Sequence, residues 1–241
     1  MSHTGTNGRL CNQIIRNVAV SFIAEKHNLE VKYSSHAKIR SLGIPLYSGT
    51  QSYSDTVSLR EDNYYEIRNQ ESFSHNIDPN DAYFQTKEFC RELYEWFRTP
   101  SIRNQIVSSN PFHTRYGSNN DCFVHVRLGD VAHLTPGLEY YLNVLSLILF
   151  DRLYIASDSP SHPIVKSLRE RYPSNSDLVY TDEVATIQVG STCKHVVLSH
   201  GSFSAVIGYL AFESDVYYPS FTNRAIWHGD MFSIEGWREI K

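Results

Sequence analysis

The sequence predicts an α/β fold built on a parallel sheet. In the second half of the chain, short apolar runs alternate with helix-length segments whose apolar residues recur every three or four positions. Such an alternation produces parallel strands covered by helices on both faces of the sheet. The first half adds a glycine-containing loop followed by a helix-length apolar pattern. With 241 residues, the chain has room for one large or two small domains.

The first half has two predicted helices and few other elements. The loop that begins at Gly8 leads into the first helix, which Asn12 is placed to cap. Polar, tyrosine-rich sequence predicts long loops over 34–80. Asp81 lies near the start of the second helix, and Pro100 falls just beyond its end. In order, the predicted elements are a helix within 8–28, a strand at 29–33 and a helix at 81–98 carrying Phe84, Phe89, Leu93 and Trp96 on one face.

The second half is more regular. The boundary between the halves is expected in the loop 110–120, which divides the chain into domains 1–112 and 113–241. Helices of ordinary length separate the predicted strands, as in βαβ units. The predicted strands are 121–127, 152–156, 178–180, 194–198 and 215–218, and the predicted helices are 138–150, 161–172, 183–189 and 202–213.

Composition and charge exclude several classes of protein. Hydrophobic residues make up 41% of the chain and aromatic residues 13%, which supports a real core and argues against disorder. A net charge of −4 argues against a general binder of nucleic acid or of anionic membranes. The longest apolar run, Leu142–Phe150, is shorter than the about 20 residues that span a bilayer. The opening MSHTGTNGRL lacks the apolar core of a signal peptide, so we expect a soluble, cytoplasmic protein.

No metal or cofactor is expected. The four cysteines are widely spaced and include no C-x-x-C pair, which indicates reduced thiols rather than a zinc site or a disulfide framework. Walker A, G-x-G-x-x-G, H-E-x-x-H and G-x-S-x-G patterns do not occur in the sequence. D-x-D does not occur either, so the usual carboxylate clamp for a metal–nucleotide complex is missing. Negative charge on a bound diphosphate would have to be met by arginine and backbone amides.

The segment Asp121–Asp130, DCFVHVRLGD, carries the most information about function. An apolar strand runs into a tight turn, which places His125, Arg127, Gly129 and Asp130 at the carboxyl end of the strand. In open α/β sheets ligands bind at this end. An arginine there binds phosphate through two parallel hydrogen bonds and keeps its charge at any working pH. A strand-terminal salt bridge is the structural alternative.

Three more loops are expected at the same rim. Gly8–Gln13 precedes a helix, whose free amides and positive dipole end favour an anion. Asp158 follows the strand LYIA, and the serine-rich loop Ser199–Ser204 follows the strand HVVL and opens the next helix. Helix capping or a plain turn is the structural alternative for each of these loops.

These motifs, in this order, resemble those of fucosyltransferases with an H-x-R-x-G-D type motif. GRLCNQIIRNVAV is similar to the family's G-G-L-G-N-Q-M-F-Q-Y-A opening, and DAYFQTKEF to its G-Y-F-Q-S-E-K-Y-F segment. CFVHVRLGDV resembles V-H-V-R-R-G-D-Y, LYIASDSP the strand end I-F-S-D-D, and LSHGSFSAVIGYLA the signature S-N-S-S-F-S-W-W-A-A-W-L. The resemblance is greatest to the α1,2-fucosyltransferases of glycosyltransferase family 11, and weaker to the O-fucosyl and α1,6 enzymes. It extends from about residue 8 to the C-terminal segment IWHGDMFSIEGWREI.

The resemblance implies a fold of the GT-B type, with two Rossmann-like domains and a parallel sheet in each. The N-terminal domain would face the acceptor and the C-terminal domain would bind GDP-β-L-fucose. The implied reaction is inverting, metal-independent transfer of L-fucose to a hydroxyl of a glycan. Two alternatives stay open: the same scaffold with another nucleotide-sugar donor, and a non-catalytic module that binds a nucleotide or a glycan.

The resemblance also implies roles for individual residues. Arg127 would bind the β-phosphate and stabilise the departing GDP, while Asn12 would reach toward donor and acceptor. His125 and Asp182 would lie near the guanosine. Asp130 would brace the turn or act as a base, and the general base stays unassigned between it, His133 and Glu139. The remaining residues implied on the donor side are Gly8, Arg9, Gly129, Asp158, Ser202 and Phe203.

The chain departs from the family pattern at several positions. Leu128 stands where the family has a second arginine, and Cys11 stands where it has a loop glycine. Ala205 and Val206 replace paired tryptophans. Because residues 1–7 are polar, we expect the apolar strand that ordinarily precedes the first loop to be missing.

Overall fold

The computed structural model describes residues 1–80, 82–221 and 229–241. The chain forms two units, of which unit 1 comprises Met1–Ile106 with residues 229–231, and unit 2 comprises residues 107–221 with Phe232–Lys241. Both units are α/β, and every strand pairing among the described residues is parallel. In this part of the chain, no helix is long and apolar enough to cross a membrane.

Unit 1 combines helices with two short pairs of parallel strands. Its elements are β1 (Ser2–His3), α1 (Leu10–His27), β2 (Val31–Lys32), α2 (His36–Ser41), β3 (Thr56–Ser58), α3 (Tyr64–Asn69), β4 (Asn76–Asp78), α4 (Lys87–Phe97) and α5 (Pro100–Ser109), whose last residues belong to unit 2. β1 pairs with β2, and β3 pairs with β4. The two pairs meet where the backbone N–H of Ile77 donates to Oγ of Ser2 at 3.0 Å.

Helix α1 lies at the centre of unit 1. Its apolar residues Ile14, Ile15 and Val18 are fully buried, and so are the polar residues Arg16 and Asn17. Helices α2, α3 and α4 all contact it. Burial on nearly every side explains why α1 is apolar around most of its circumference, unlike a surface helix with a single apolar stripe.

Unit 2 is a six-stranded parallel sheet in the order β10-β9-β8-β5-β6-β7. Its elements are β5 (Cys122–Val126), α6 (Leu138–Ser146), β6 (Leu153–Ser157), α7 (Pro163–Arg171), β7 (Ser176–Leu178), α8 (Glu183–Gly190), β8 (His195–Val197), α9 (Gly201–Leu210), β9 (Asp215–Pro219) and β10 (Arg238–Ile240). From β5 the chain moves to β6 and β7 on one side, then returns to β8 on the other. The strand order therefore reverses between β5 and β8.

Strand β5 is buried on both faces, as its continuous apolar sequence predicts for a central parallel strand. Cys122, Val124 and Val126 belong to a core cluster that includes residues of α6 and α7. The alternate residues face the other side of the sheet, since a Cβ on Gly190 of α8 would meet the ring of Phe123 at 2.8 Å. Arg127 lies just beyond the strand and, by the same alternation, is the next residue on the face that carries Phe123.

In unit 2 the predicted strands and helices are confirmed in type and order, with changes at their ends. β7 covers Ser176–Leu178 rather than 178–180, and α6 stops at Ser146, four residues before the predicted end. Strand β10 was not predicted, because a three-residue edge strand with two charged side chains has no readable period.

Several expectations for unit 1 were wrong. Residues 1–7 do contain a strand, because β1 pairs through its backbone and needs no apolar side chains. The stretch 34–80 holds two helices and two strands rather than long loops. Asn12 does not cap α1: the N-cap position is Arg9, and Asn12 is the third residue of the helix.

The second predicted helix also begins later than expected. α4 starts at Lys87, where the side-chain oxygen of Thr86 accepts from the backbone N–H of Phe89. Phe84 precedes the helix with a φ of +53°. Pro100 falls just beyond the end of α4, as predicted, and it opens a further helix, α5, at a position that suits proline because its missing N–H is not needed there. Asp81 lies outside the described residues.

Candidate functional site

The candidate site lies at the carboxyl ends of β5 and β8 in unit 2. The strand order reverses between these two strands, and in open α/β sheets ligands bind in the crevice formed at such a point. Arg127 follows β5 directly, and the loop that starts at Leu198 follows β8. Two of the four predicted loops therefore follow these strands, and a third, that of Asp158, follows the neighbouring strand β6.

Arg127 is held by two carboxylates. Its Nη1 pairs with Asp158, which follows the neighbouring strand β6, and its Nη2 pairs with Asp130. The other oxygen of Asp158, Oδ1, accepts from the backbone N–H of Leu128 at 2.9 Å. Asp158 therefore fixes both the guanidinium and the backbone of the turn. The salt bridge that was the structural alternative for this motif is present.

Gly129 makes this arrangement sterically feasible. Its φ is +41°, and a Cβ built on it would lie 2.6 Å from Oδ2 of Asp158 and 3.1 Å from Nη1 of Arg127. A side chain at this position would push the carboxylate away from the guanidinium, in addition to the strain of a positive φ.

Replacing this glycine by alanine is expected to destabilise the fold by about 2–3 kcal/mol, since the strain of the backbone and the clash with Asp158 add. Gly5→Ala is the matched control, because Gly5 also has a positive φ of +60° but nothing within 4 Å of its Cβ position. That variant should lose only about 1 kcal/mol. Chemical denaturation measures both, and equal losses would show that the close approach to Asp158 does not matter.

His125 lies inside the protein beside the site. Its Nδ1 is hydrogen-bonded to Oγ of Ser204 at 2.6 Å, and its ring lies 5.1 Å from the ring of Phe203. Ser204 Oγ also accepts from the backbone N–H of Ser199 at 2.9 Å. Burial lowers the pKa of His125 to about 3, with smaller contributions from His200 and Arg127. The imidazole is therefore neutral at pH 7 and links β5 to the first turn of α9.

His200 is a site residue that sequence reasoning did not single out. It is fully buried at the N-cap position of α9. Burial lowers its pKa to about 4, and the charges of Arg127 and His133 lower it further, while Asp130 raises it. His200 therefore lies within reach of the guanidinium's charge. Its position directly after β8, at the same edge as Arg127, is the signal that could have identified it.

The two buried histidines predict a pH-dependent stability. Both folded-state pKa values lie below the ordinary 6.5, so below pH 6.5 the unfolded chain binds protons that the folded chain does not. The stability they contribute is complete above pH 6.5 and decreases as the pH falls toward 4. Between pH 7.5 and 5, the free energy of unfolding should fall by about 2–4 kcal/mol.

Denaturant titrations at several pH values test this expectation. His200→Asn should remove about half of the pH dependence, whereas His36→Gln, a change at an exposed histidine, should leave it intact. A stability that is constant from pH 7.5 to 5 would show that the imidazoles are not held neutral by burial.

The first turn of α9 carries the remaining residues predicted near β8. Ser202 and Phe203 are its second and third residues, and Gly201 begins it with a φ of +84°. The first turn of this ten-residue helix contains no acidic residue. Its amides and the positive end of its dipole therefore add to the charge of Arg127 in favouring an anion.

Asp182 has a structural role in this unit. It is the N-cap of α8, and its carboxylate accepts from the backbone N–H of Ala185 at 2.8 Å. It follows the edge strand β7, which β6 separates from β5. The topology therefore does not bring Asp182 beside Arg127.

The predicted residues of unit 1 form a loop tied to the start of α1. Gly8 has a φ of +80°, and a Cβ there would meet Cβ of Asn12 at 2.7 Å. Nε2 of Gln13 donates to the carbonyl oxygens of Thr6 and Gly8, at 3.0 and 2.8 Å. Asn12 Oδ1 accepts from Nε2 of Gln85 at 2.9 Å. Arg9 is the N-cap residue that precedes α1.

A buried cation holds the same loop. The guanidinium of Arg16 donates from Nε to the carbonyl of Ala82 at 2.9 Å, and from Nη1 to those of Asn7 at 2.9 Å and Thr4 at 3.3 Å. The ring of Tyr83 lies 5.4 Å from its central carbon. Arg16 thus joins two segments distant in sequence, which no local pattern indicates.

All four cysteines are buried thiols. Over the described ranges, no group of three or more histidine, cysteine or acidic residues could hold a metal ion. Neither a model of a known protein family nor a curated protein matches the sequence. Fold and site define an α/β protein with an arginine at the switch point of a parallel sheet.

Proposed function

We propose that this protein is an inverting, metal-independent glycosyltransferase of the GT-B type that transfers L-fucose from GDP-β-L-fucose to a hydroxyl of a glycan. The observation that carries the proposal is the position of Arg127, at the carboxyl end of the central strand β5 and beside the reversal of strand order. The order of the sequence motifs, which resembles that of fucosyltransferases, also supports the proposal.

Arg127 would act on the leaving group. Cleavage of the bond between sugar and diphosphate leaves negative charge on GDP, and a fixed guanidinium stabilises that charge as it develops. Asp158 keeps the guanidinium oriented, so the guanidinium itself need not turn when the donor binds. The amides at the start of α9 supply further hydrogen bonds to phosphate oxygens.

A second candidate is the same reaction with a different nucleotide sugar. Leu128 stands where the fucosyltransferase pattern has a second arginine, and it is buried in the core cluster with residues of α6. The side chain at this position therefore packs into the core, and the motif has one arginine in this chain where the family pattern has two. A different donor or acceptor would account for that change.

A transfer assay separates these candidates. The protein is incubated with GDP-fucose, GDP-mannose or a UDP-sugar and a panel of glycans, in the presence of a chelator, and nucleotide release and glycan products are measured. We expect acceptor-dependent release of GDP from GDP-fucose that the chelator does not reduce. Turnover of another nucleotide sugar alone would favour the second candidate, and no turnover of any donor would contradict an enzymatic function.

A further inference from the structure

The two carboxylates on Arg127 are held in different ways. Asp158 is 28% exposed and is fixed by the backbone N–H of Leu128 as well as by the guanidinium. Asp130 is 62% exposed and lies on the short 3₁₀ segment Gly129–Leu134 that leads away from the strand. Rotation of its side chain into solvent would release Nη2 of Arg127 without moving the strand or Asp158.

The charges of the site require such a release. One guanidinium faces two carboxylates, so the trio carries a net negative charge. His125 and His200 add no positive charge at neutral pH, because burial lowers the pKa of both. A nucleoside diphosphate brings more than one negative charge to this place. Phosphate oxygens and the Asp130 carboxylate would compete for the same N–H groups, and like charges at contact distance repel.

We propose that Asp130 is an intramolecular competitor for the diphosphate: its carboxylate occupies Arg127 in the empty site, yields it to a diphosphate, and returns when the nucleotide leaves. The inference rests on the proposed function, because it concerns the same anion site. Asp158 is the permanent partner of Arg127, and Asp130 is the exchangeable one. The exchange favours ligands that carry enough charge to displace a carboxylate, so diphosphates bind in preference to monophosphates.

A purely structural role for Asp130 predicts the opposite effect of its removal on ligand binding. If its carboxylate only braces the turn that presents Arg127, its removal weakens ligand binding. If it competes, its removal strengthens binding by about 2- to 5-fold, the range expected for an ion pair with one exposed partner. The sign of the change therefore separates the two roles.

Calorimetric titration with inorganic pyrophosphate and with GDP tests the inference on wild type, Asp130→Asn, Asp158→Asn and Asp177→Asn. We expect tighter binding for Asp130→Asn and weaker binding for Asp158→Asn. Asp177→Asn is the matched control, because it also removes one negative charge from an exposed ion pair. Asp177 lies on the edge strand β7 and pairs with Arg152. This variant should bind as wild type does.

Unchanged or weaker binding by Asp130→Asn, with measurable binding by wild type, would overturn the inference and leave the proposed function standing. Equal tightening by Asp130→Asn and Asp177→Asn would also overturn it, since net charge alone would then explain the gain. No binding of pyrophosphate or GDP by any of the four proteins would overturn both the inference and the proposed function. Tighter pyrophosphate binding by Asp130→Asn without any sugar transfer would support the inference alone.

Discussion

Arg127→Ala is expected to lower the turnover of GDP-fucose by about 10²–10³-fold, because it removes the group that stabilises charge on the departing diphosphate. Arg127→Lys should recover only part of the loss, since an ammonium keeps the charge but not the paired geometry of a guanidinium. Steady-state measurement of kcat and KM on the three proteins tests both statements.

Arg152→Ala is the control for this experiment. Arg152 is an exposed arginine directly before β6, at the amino end of the strand and not at the carboxyl end where Arg127 lies, and it pairs with Asp177 of β7. The Arg152→Ala substitution should leave kcat and KM unchanged. Comparable kcat values for Arg127→Ala and wild type would show that Arg127 has no part in the chemical step.

Arg16→Met is expected to reduce the free energy of unfolding by about 2–4 kcal/mol. It removes three hydrogen bonds from a buried guanidinium to the carbonyls of Thr4, Asn7 and Ala82, and the lower burial cost of methionine offsets part of that loss. The loop that carries Gly8 would lose its connection to the segment before α4. Chemical denaturation gives the stability change.

Arg91→Met provides a matched comparison on α4. Arg91 pairs with Glu95 one turn away, and both side chains are exposed, so its loss should change stability by no more than about 0.5 kcal/mol. If Arg16→Met reduced the free energy of unfolding as little as Arg91→Met, the buried arginine would not be what fixes the loop that carries Gly8.

Much of the fold of unit 2 was predictable because its central strands, β5 and β8, are buried on both faces. Strands β5 and β8 are short, largely apolar runs, and helix-length segments separate the strands along the chain. Strands of two or three residues, such as β1 and β4, carry no period at all. Their pairing depends on contacts such as that between Ser2 and Ile77, which join residues far apart in the chain.

Only those site residues that directly follow a recognisable strand were predictable from the sequence. Arg127 and Asp158 follow adjacent apolar strands, so the sequence already places them at one edge of the sheet. The role of His200 depends on the neighbours that burial gives it, and that of Arg16 depends on carbonyls from two other segments. Asn12 was misread as a cap because the sequence pattern does not show that α1 begins at Leu10.

Calorimetric titration of wild type and Arg127→Ala with GDP and with UDP measures most directly whether Arg127 forms a diphosphate site. We predict that the wild type binds GDP in preference to UDP, and that Arg127→Ala loses this binding while remaining folded. Failure of the wild type to bind either nucleotide, or equal affinity of the two proteins for GDP, would contradict the assignment of Arg127 to a donor site.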